Sequence, residues 1–284
     1  MVCACCAIRR WNWCAAGEPA WRRSTVSLSR AERRIAVLGA TRLALFRRRR
    51  GGLELLGGAE YGQAEGPAWS GAAEALERLL GEQECGRGSL SLVLSSRFVR
   101  FALIPWSEAL GAPEELEAYA RFRFQEIYGA LADDWLLRLS PAPAGQPRLA
   151  AAIERGLLER LRLALQDAGL RLRSVQPYLM AAFNRFAGQL PADDFLFVLA
   201  EPGRSSLLLA RAGEWLCMRS LSGSADDAAL LALVERECEL QGLRDTARYL
   251  HAPGRTAPPP AGLQALELPC ASPDTLQAMA MTVS

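Results

Sequence analysis

The chain has 284 residues, of which 50% are hydrophobic and 23% are charged, and its formal net charge is +2. This length and apolar content are sufficient for one large domain or two domains of ordinary size. A net charge this close to zero argues against a surface for nucleic acid, so we expect no nucleic-acid partner.

The basic residues narrow the chemistry further. All 33 of them are arginine, the sequence contains no lysine, and His251 is its one histidine. The missing lysine excludes a Walker-type phosphate lysine, a Schiff-base lysine and a lysine general base. A single histidine excludes metal sites that need two, such as the zinc motif HExxH. No Gly-x-Ser-x-Gly elbow precedes His251, so we expect a surface or hydrogen-bonded residue there rather than a catalytic one.

The eight cysteines do not form a recognisable framework. Four are crowded near the start of the chain without a paired CxxC spacing, and four are widely scattered, so we predict no metal site and a reducing compartment. The crowded group is Cys3, Cys5, Cys6 and Cys14, and the scattered group, which we interpret as small buried apolar residues, is Cys85, Cys217, Cys238 and Cys270.

No part of the sequence predicts a membrane-spanning segment. An apolar helix needs about 18 residues to cross a bilayer, and no uncharged apolar run approaches that length. The apolar run at residues 2–8 is too short for a signal peptide and precedes the arginines instead of following them. We therefore predict a cytoplasmic chain with a disordered leader at residues 1–30.

The first half begins with alternating and apolar runs that predict a three-stranded meander. Helical spacing and turn residues then alternate with further strand patterns up to a helix that joins two halves. The predicted strands are 35–39, 42–47, 53–61, 89–94, 98–104, 135–140, 149–153 and 170–175, and the predicted helices are 72–84, 114–128, 157–168 and 178–186.

The second half repeats this order with another meander, a helix and a strand. We therefore predict two similar halves, at residues 31–178 and 179–284. The predicted strands of the second half are 195–200, 205–211, 214–221, 247–251 and 263–268, and the predicted helices are 226–241 and a short one from Pro273.

This duplicated order is that of the actin-like, ribonuclease-H-type α/β fold, with mixed sheets and flanking helices. The strand pair at residues 94–106 (LSSRFVRFALIPW), the helix at 114–124 (EELEAYARFRF) and the junction at 175–180 (VQPYLM) resemble the PilM and GspL cytoplasmic proteins of type IV pili and type II secretion. The similarity extends over residues 34–284 and is specific near residues 94–128.

The resemblance implies a cytoplasmic adaptor of an inner-membrane machine, held there by protein partners. The GspL branch adds a transmembrane helix after its actin-like part, and this sequence resembles the freestanding PilM arrangement in having none. We therefore expect peripheral association with the inner membrane through a partner, and a homo-dimer is left open.

An actin-like ATPase needs an aspartate at the end of its first strand to hold metal-bound water, followed by a turn whose amides receive phosphate. Leucine occupies that position here, at Leu38, and cannot order a hydrated magnesium ion. Gly39 and Thr41 of the turn remain. This departure also argues against a sugar-kinase-like enzyme.

The other two turns of such a site are also altered. In the second half Glu201 could replace the acid, but Pro202 has no amide to donate before Gly203. The usual adenine turn has at best Gly254 as its counterpart. We therefore predict a degenerate nucleotide site, no catalysis and no cofactor. The alternative is an actin-like ATPase that still binds ATP at this site.

A partner surface is predicted near residues 97–128. The helix at 114–128 carries too many aromatic residues for one buried face, so we expect Phe122 or Tyr128 to be exposed and available for contact. The residues predicted to contact a partner are Arg97, Arg100, Trp106, Phe122 and Tyr128.

Overall fold

The computed structural model describes residues 32–283 except 63, 84, 85, 87, 224, 225, 244 and 269–271. These residues form two five-stranded sheets, a smaller three-stranded sheet and flanking helices. The leader predicted at residues 1–30 lies outside the described residues. So do six of the cysteines, namely Cys3, Cys5, Cys6, Cys14, Cys85 and Cys270.

The first sheet has the strand order β3-β2-β1-β4-β8. The meander strands pair antiparallel, whereas β1, β4 and β8 run parallel, because connections through helices return the chain in the same direction. The strands are β1 (Glu32–Leu38), β2 (Arg42–Arg49), β3 (Gly52–Glu60), β4 (Gly88–Leu94) and β8 (Leu170–Pro177).

The second sheet repeats this topology with the order β11-β10-β9-β12-β13. Its meander is again antiparallel, and β9, β12 and β13 again run parallel. The strands are β9 (Phe195–Glu201), β10 (Arg204–Arg211), β11 (Glu214–Ser222), β12 (Ala247–His251) and β13 (Gln264–Ala265). The predicted duplicated α/β fold is confirmed.

A separate antiparallel sheet with the order β5-β7-β6 is inserted after β4. Its strands are β5 (Arg100–Ile104), β6 (Trp135–Leu139) and β7 (Arg148–Glu154). The helix α2 (Pro113–Tyr128) and a 3-10 turn (Gly129–Asp134) lie between β5 and β6, and buried Phe124 packs α2 onto this sheet beside Trp135. Strand patterns in the sequence predict these strands but not that they form a sheet of their own.

The remaining helices cover the large sheets and cross between the halves. They are α1 (Ser70–Glu82), α3 (Arg155–Asp167), α4 (Tyr178–Phe186), α5 (Asp227–Leu240) and α6 (Thr275–Met281). Phe183 of α4 contacts the rings of Phe195, Phe197 and Trp215, with centroids 6.1, 5.7 and 5.2 Å away. In the other direction, α6 packs on β1, β2 and β3 of the first sheet. One apolar core therefore spans both halves.

Several element boundaries differ from the sequence-based prediction. The strand predicted at 98–104 begins at Arg100, because the amide of Phe98 donates to the carbonyl of Ser95 and closes a turn. The strand predicted at 263–268 is limited to Gln264–Ala265. The last helix begins at Thr275 instead of Pro273, since the Asp274 side chain caps it by accepting from the amide of Gln277.

Candidate functional site

The first turn of the candidate site follows β1. Leu38, at the end of that strand, is fully buried. The amide of Gly39 donates to the carbonyl of Arg42 at 2.9 Å, and the carbonyl of Gly39 accepts from the Tyr61 hydroxyl. Thr41 is exposed. Both polar backbone groups of Gly39 therefore have partners within the chain.

Helix α6 covers this turn. A Cβ atom at Gly39 would lie 2.7 Å from Leu276 Cδ2 and 2.9 Å from the carbonyl oxygen of Arg42, which is closer than real Cβ contacts. Beside this contact the Arg42 guanidinium lies 3.5 Å from the Asp274 carboxylate. An apolar side chain from the end of the second half therefore occupies the space next to the first turn.

The second turn joins the halves through a buried acid. Glu201 ends β9 and is 3% exposed, and its two carboxylate oxygens lie 3.1 and 3.2 Å from the donating amide of Ser96. Ser96 follows β4 of the first half, where the amide of Ser95 in turn donates to the carbonyl of Leu38. The ends of β1, β4 and β9 thus meet at this carboxylate, while Gly203 is exposed at the tip of the turn.

Burial raises the pKa of Glu201, and this effect outweighs the opposing hydrogen bonds from Ser96 and Ser95 and the charge of Arg204. The carboxylate is directed into the protein and onto a backbone amide, so it acts as a contact between the halves. Its predicted part in a nucleotide site stays a prediction.

The third turn contacts the same covering segment. Gly254 has a φ angle of 78°, and a Cβ atom there would lie 2.6 Å from Thr275 Oγ1 and 3.0 Å from the carbonyl oxygen of Pro273. The Thr275 hydroxyl donates to the carbonyl of Pro253 at 3.3 Å. The segment 273–276 therefore contacts both Gly39 and Gly254, and the structure brings these two predicted site residues to one place.

His251 is buried between the halves in a complete set of hydrogen bonds. Its Nε2 lies 2.7 Å from Tyr178 Oη, and its Nδ1 lies 3.0 Å from the carbonyl oxygen of Leu266. A carbonyl only accepts, so Nδ1 carries the proton and Nε2 accepts from the tyrosine. Burial lowers the pKa of His251 to about 4. This histidine is therefore a hydrogen-bonded interior residue.

The predicted partner residues fall into two groups. The first group lies near Arg204 of the second half and consists of Arg97, Arg100 and Tyr128. Arg100 donates to the carbonyl of Arg97 at 2.8 Å, and the Tyr128 ring centroid is 4.9 Å from that of Trp135. Burial, followed by the charge of Arg100, lowers the pKa of the nearby Arg204. All three predicted residues of this group are half-buried.

Trp106 and Phe122 form the exposed group. Trp106 is 42% exposed and lines a cavity of about 340 Å³ with Leu110, Leu116 and Arg148. Phe122 is 52% exposed. Of the two aromatic residues expected to leave the helix core, Phe122 points to solvent and Tyr128 stays against Trp135.

Sequence reasoning missed the residues that fill the space between the three turns, which we call the cleft. Ser96, Thr275 and Leu276 contribute through an amide, a hydroxyl and a methyl group. Ser96 lies in the motif at residues 94–106, but the sequence assigns it no role there, and no motif or spacing marks Thr275 or Leu276. For Tyr178 the sequence predicts a helical position but not its hydrogen bond with His251. Their roles depend on contacts between residues far apart in the chain.

The part of the chain that the structure describes lacks two further features. That part contains no group of three or more His, Cys, Asp or Glu side chains arranged to hold a metal ion. It also contains no helix that is both long and apolar enough to cross a membrane.

The described residues thus form two five-stranded sheets of the same topology, joined by one apolar core. A protein from Bacteroides thetaiotaomicron described as having an actin-like ATPase fold and unknown function superposes with a TM-score of 0.60 at 10% identity, over 90% of this chain and 97% of that one. The chain therefore has an actin-like ATPase fold.

Two structures connect the fold to particular assemblies. The cytoplasmic domain of EpsL, an inner membrane component of the type II secretion system of Vibrio cholerae, superposes with a TM-score of 0.54 at 14% identity, over 89% of this chain and 94% of that one. A chain of the PilM-PilN type IV pilus biogenesis complex superposes with a TM-score of 0.51 at 18% identity, over 78% and 82%. The resemblance to this group is confirmed at the level of the fold.

Comparison of the sequence itself gives no such connection. No family model matches it, and no curated protein matches it. The likeness therefore lies in the architecture.

Proposed function

We propose that this protein is a non-catalytic adaptor that binds protein partners in the inner-membrane machine of a type IV pilus or type II secretion system. The fold that it shares with the EpsL cytoplasmic domain and with the PilM-PilN complex supports the assignment to such a machine. The observation that carries the non-catalytic part is the occupied cleft, in which Leu276 and Thr275 cover two turns and Glu201 contacts Ser96.

The chemistry of the cleft supports a binding role over hydrolysis. Metal-assisted phosphoryl chemistry needs an acidic group that orders a hydrated cation, and buried Leu38 offers none at the end of β1. A phosphate at the first turn would need free amides, but the amide of Gly39 donates to Arg42. It would also need space that the Leu276 side chain fills.

In this proposal a protein partner determines where the protein is located in the cell. We place the protein in the cytoplasm, peripheral at the inner membrane, held there by a membrane-embedded component of the machine. Partner-binding residues are proposed among the exposed group at residues 97–128, with Trp106 and Phe122 as the accessible aromatic side chains.

Co-purification tests the adaptor role. The tagged protein, cross-linked in native cells and purified from solubilised membranes, is expected to recover at least one pilus or secretion component of the inner membrane, identified by mass spectrometry. Cells that lack the tagged protein, cross-linked and processed in the same way, serve as the control for adhesion to the resin. If repeated experiments recover no such component, the adaptor role is wrong.

Thermal unfolding tests the non-catalytic part. A ligand that binds the folded state raises the unfolding temperature in proportion to the logarithm of its concentration over its Kd. We expect no shift with millimolar Mg-ATP relative to magnesium alone or ATP with a chelator. A clear, concentration-dependent stabilisation by Mg-ATP would contradict this proposal and favour a nucleotide-binding protein.

A further inference from the structure

The residues between β5 and β6 form a strongly acidic surface, which we call the acidic segment and define as residues 105–134. It contains seven acidic and two basic side chains, a net charge of −5 in a chain whose total is +2. All seven acidic residues are exposed: Glu108, Glu114, Glu115, Glu117, Glu126, Asp133 and Asp134. The rest of the chain therefore carries a net charge of +7, so the acidic segment is opposite in charge to the rest of the protein.

A large aromatic side chain projects from the middle of this segment. Phe122 is 52% exposed, while Ala120 and Phe124, two residues to either side, are fully buried. Two residues correspond to about 200° around a helix, so Phe122 lies on the face opposite the core. The contacts of Phe124 and Tyr128 with the Trp135 ring already attach α2 to its sheet, which leaves Phe122 without a part in that packing.

Two of the acidic residues lie on the same helix face as Phe122. Glu115 and Glu126 lie seven residues before and four residues after it, and both spacings return to one side of a helix. Glu115 accepts from the amide of Ala112 at 3.0 Å and Glu126 pairs with Arg123 at 2.6 Å, so both are held in place. Glu114, in the first turn of the helix, is exposed beside them.

We propose that the Phe122 face of α2 binds a basic amphipathic segment of a partner protein. Phe122 inserts between apolar side chains of that segment, and lysine or arginine side chains meet Glu114 and Glu126. A buried aromatic anchor within a ring of charged contacts is the usual arrangement of binding hot spots. The inference rests on the proposed adaptor function and specifies the chemistry of its partner.

The charge of the acidic segment favours a basic peptide over the other partners that this face could bind. A net charge of −5 repels the anionic surface of a membrane, so the face does not dock on lipid. It repels an acidic peptide for the same reason. A second copy of the chain could offer arginines from its β2–β3 hairpin, and that arrangement is an outcome of the test.

The experiment uses two designed helical peptides of equal length, one of leucine and lysine and one of leucine and glutamate. Fluorescence anisotropy is measured with the full chain at low and at high salt. We expect binding of the basic peptide alone, weakened by salt. Phe122→Ala is expected to weaken binding by about tenfold or more. Leu240→Ala is the matched control, since Leu240 is 66% exposed on α5 outside the acidic segment, and should bind as the wild type does.

Three results would overturn the inference. The first is equal affinity of the wild type and Phe122→Ala for the basic peptide, with both proteins showing the same unfolding temperature. The second is preference for the acidic peptide. The third is self-association of the wild type in sedimentation that Phe122→Ala abolishes, which would assign the face to a second copy.

Co-purification separates this inference from the adaptor function. If Phe122→Ala and Glu114→Gln recover the same pilus or secretion component as the wild type in equal amounts, the Phe122 face is not the docking surface and the adaptor function stands. If both variants lose the component that the wild type recovers while Leu240→Ala retains it, the surface is supported. Failure of the wild type itself to recover any component rejects the adaptor function alone.

Discussion

The two halves have the same strand order, yet the turns that follow their first strands are stabilised in different ways. In the first half the turn glycine, Gly39, is buried under Leu276 and both of its backbone polar groups have partners. In the second half Gly203 is exposed with open space around it, and the preceding Glu201 turns inward to Ser96. A shared topology therefore specifies where the turns lie but not what fills the space between them.

Each turn is held by a residue from the opposite half. Leu276, near the end of the second half, covers Gly39, and Ser96 of the first half donates to Glu201. Such reciprocal contacts favour one fixed arrangement of the halves. This fixed arrangement suits a protein that presents a surface to partners.

The largest effect is expected at the first turn. The φ angle of Gly39 lies outside the left-handed region, so Gly39→Ala adds no backbone strain and tests only the steric effect of the added Cβ atom. Because the added Cβ atom meets Leu276 and a backbone oxygen, we expect the free energy of unfolding to fall by about 3 kcal/mol, measured by chemical denaturation. Gly51→Ala, where a Cβ atom meets nothing within 4 Å, should change stability by less than about 0.5 kcal/mol. Equal losses for the two variants would contradict the close approach of Leu276.

The next effect concerns the contact between the halves. Glu201→Leu leaves the buried amide of Ser96 without an acceptor, and we expect a loss of about 2 kcal/mol in the free energy of unfolding. Glu201→Gln keeps an acceptor oxygen and should lose less. The comparison of these two variants by chemical denaturation measures what the acceptor contributes.

The same carboxyl predicts a dependence on pH. Its pKa in the folded protein is raised above the usual 4.5, so the unfolded chain releases the proton first as the pH rises. The stabilisation is therefore complete below pH 4.5 and declines as the pH rises from there through the folded-state pKa. We expect wild type to lose stability relative to Glu201→Gln over this range, measured by chemical denaturation at several pH values. If wild type instead gains stability relative to Glu201→Gln as the pH rises, the interior stabilises the charged carboxylate and the pKa of Glu201 is not raised.

The smallest effect is expected at the second turn. Gly203 has a φ angle of 73°, so Gly203→Ala should cost about 1 kcal/mol through backbone strain, although the added Cβ atom has free space. Asparagine tolerates this conformation better than alanine, so Gly203→Asn should recover part of the loss. Gly39→Asn should recover none of the stability that Gly39→Ala loses, because the loss at Gly39 comes from steric contact with Leu276 and the Arg42 carbonyl and not from the φ angle. Recovery by asparagine at both turns would remove the distinction between them.

Local patterns predicted the elements because those patterns are set by neighbouring residues. The apolar run of β2 and the helical spacing of Leu76, Leu79 and Leu80 in α1 were sufficient to place both elements. The repeated order of strands and helices then identified the fold, which the superpositions confirm. The weak strand at 263–268 was overestimated, since its apolar residues Leu263, Leu266 and Leu268 are buried in loops that flank a two-residue strand.

The contents of the cleft could not be predicted in the same way. Leu276 is an ordinary apolar helix residue in the sequence, and nothing local indicates that it contacts a glycine at position 39. The sequence predicts that Glu201 could replace the acid of a nucleotide site, and nothing local indicates that its carboxylate accepts from the amide of Ser96. The partner contacts predicted at Arg97, Arg100, Trp106, Phe122 and Tyr128 stay predictions, as does the degenerate nucleotide site.

The position of α6 has a consequence for synthesis of the protein. Strand β1 begins at residue 32, whereas the helix that covers its sheet begins at residue 275. At a translation rate of 5–20 residues per second, about 10 to 50 s separate the two on the ribosome. During that interval the apolar residues of β1, β2 and β3 that α6 contacts stay uncovered by it, so this part of the core is completed only when the last helix is released.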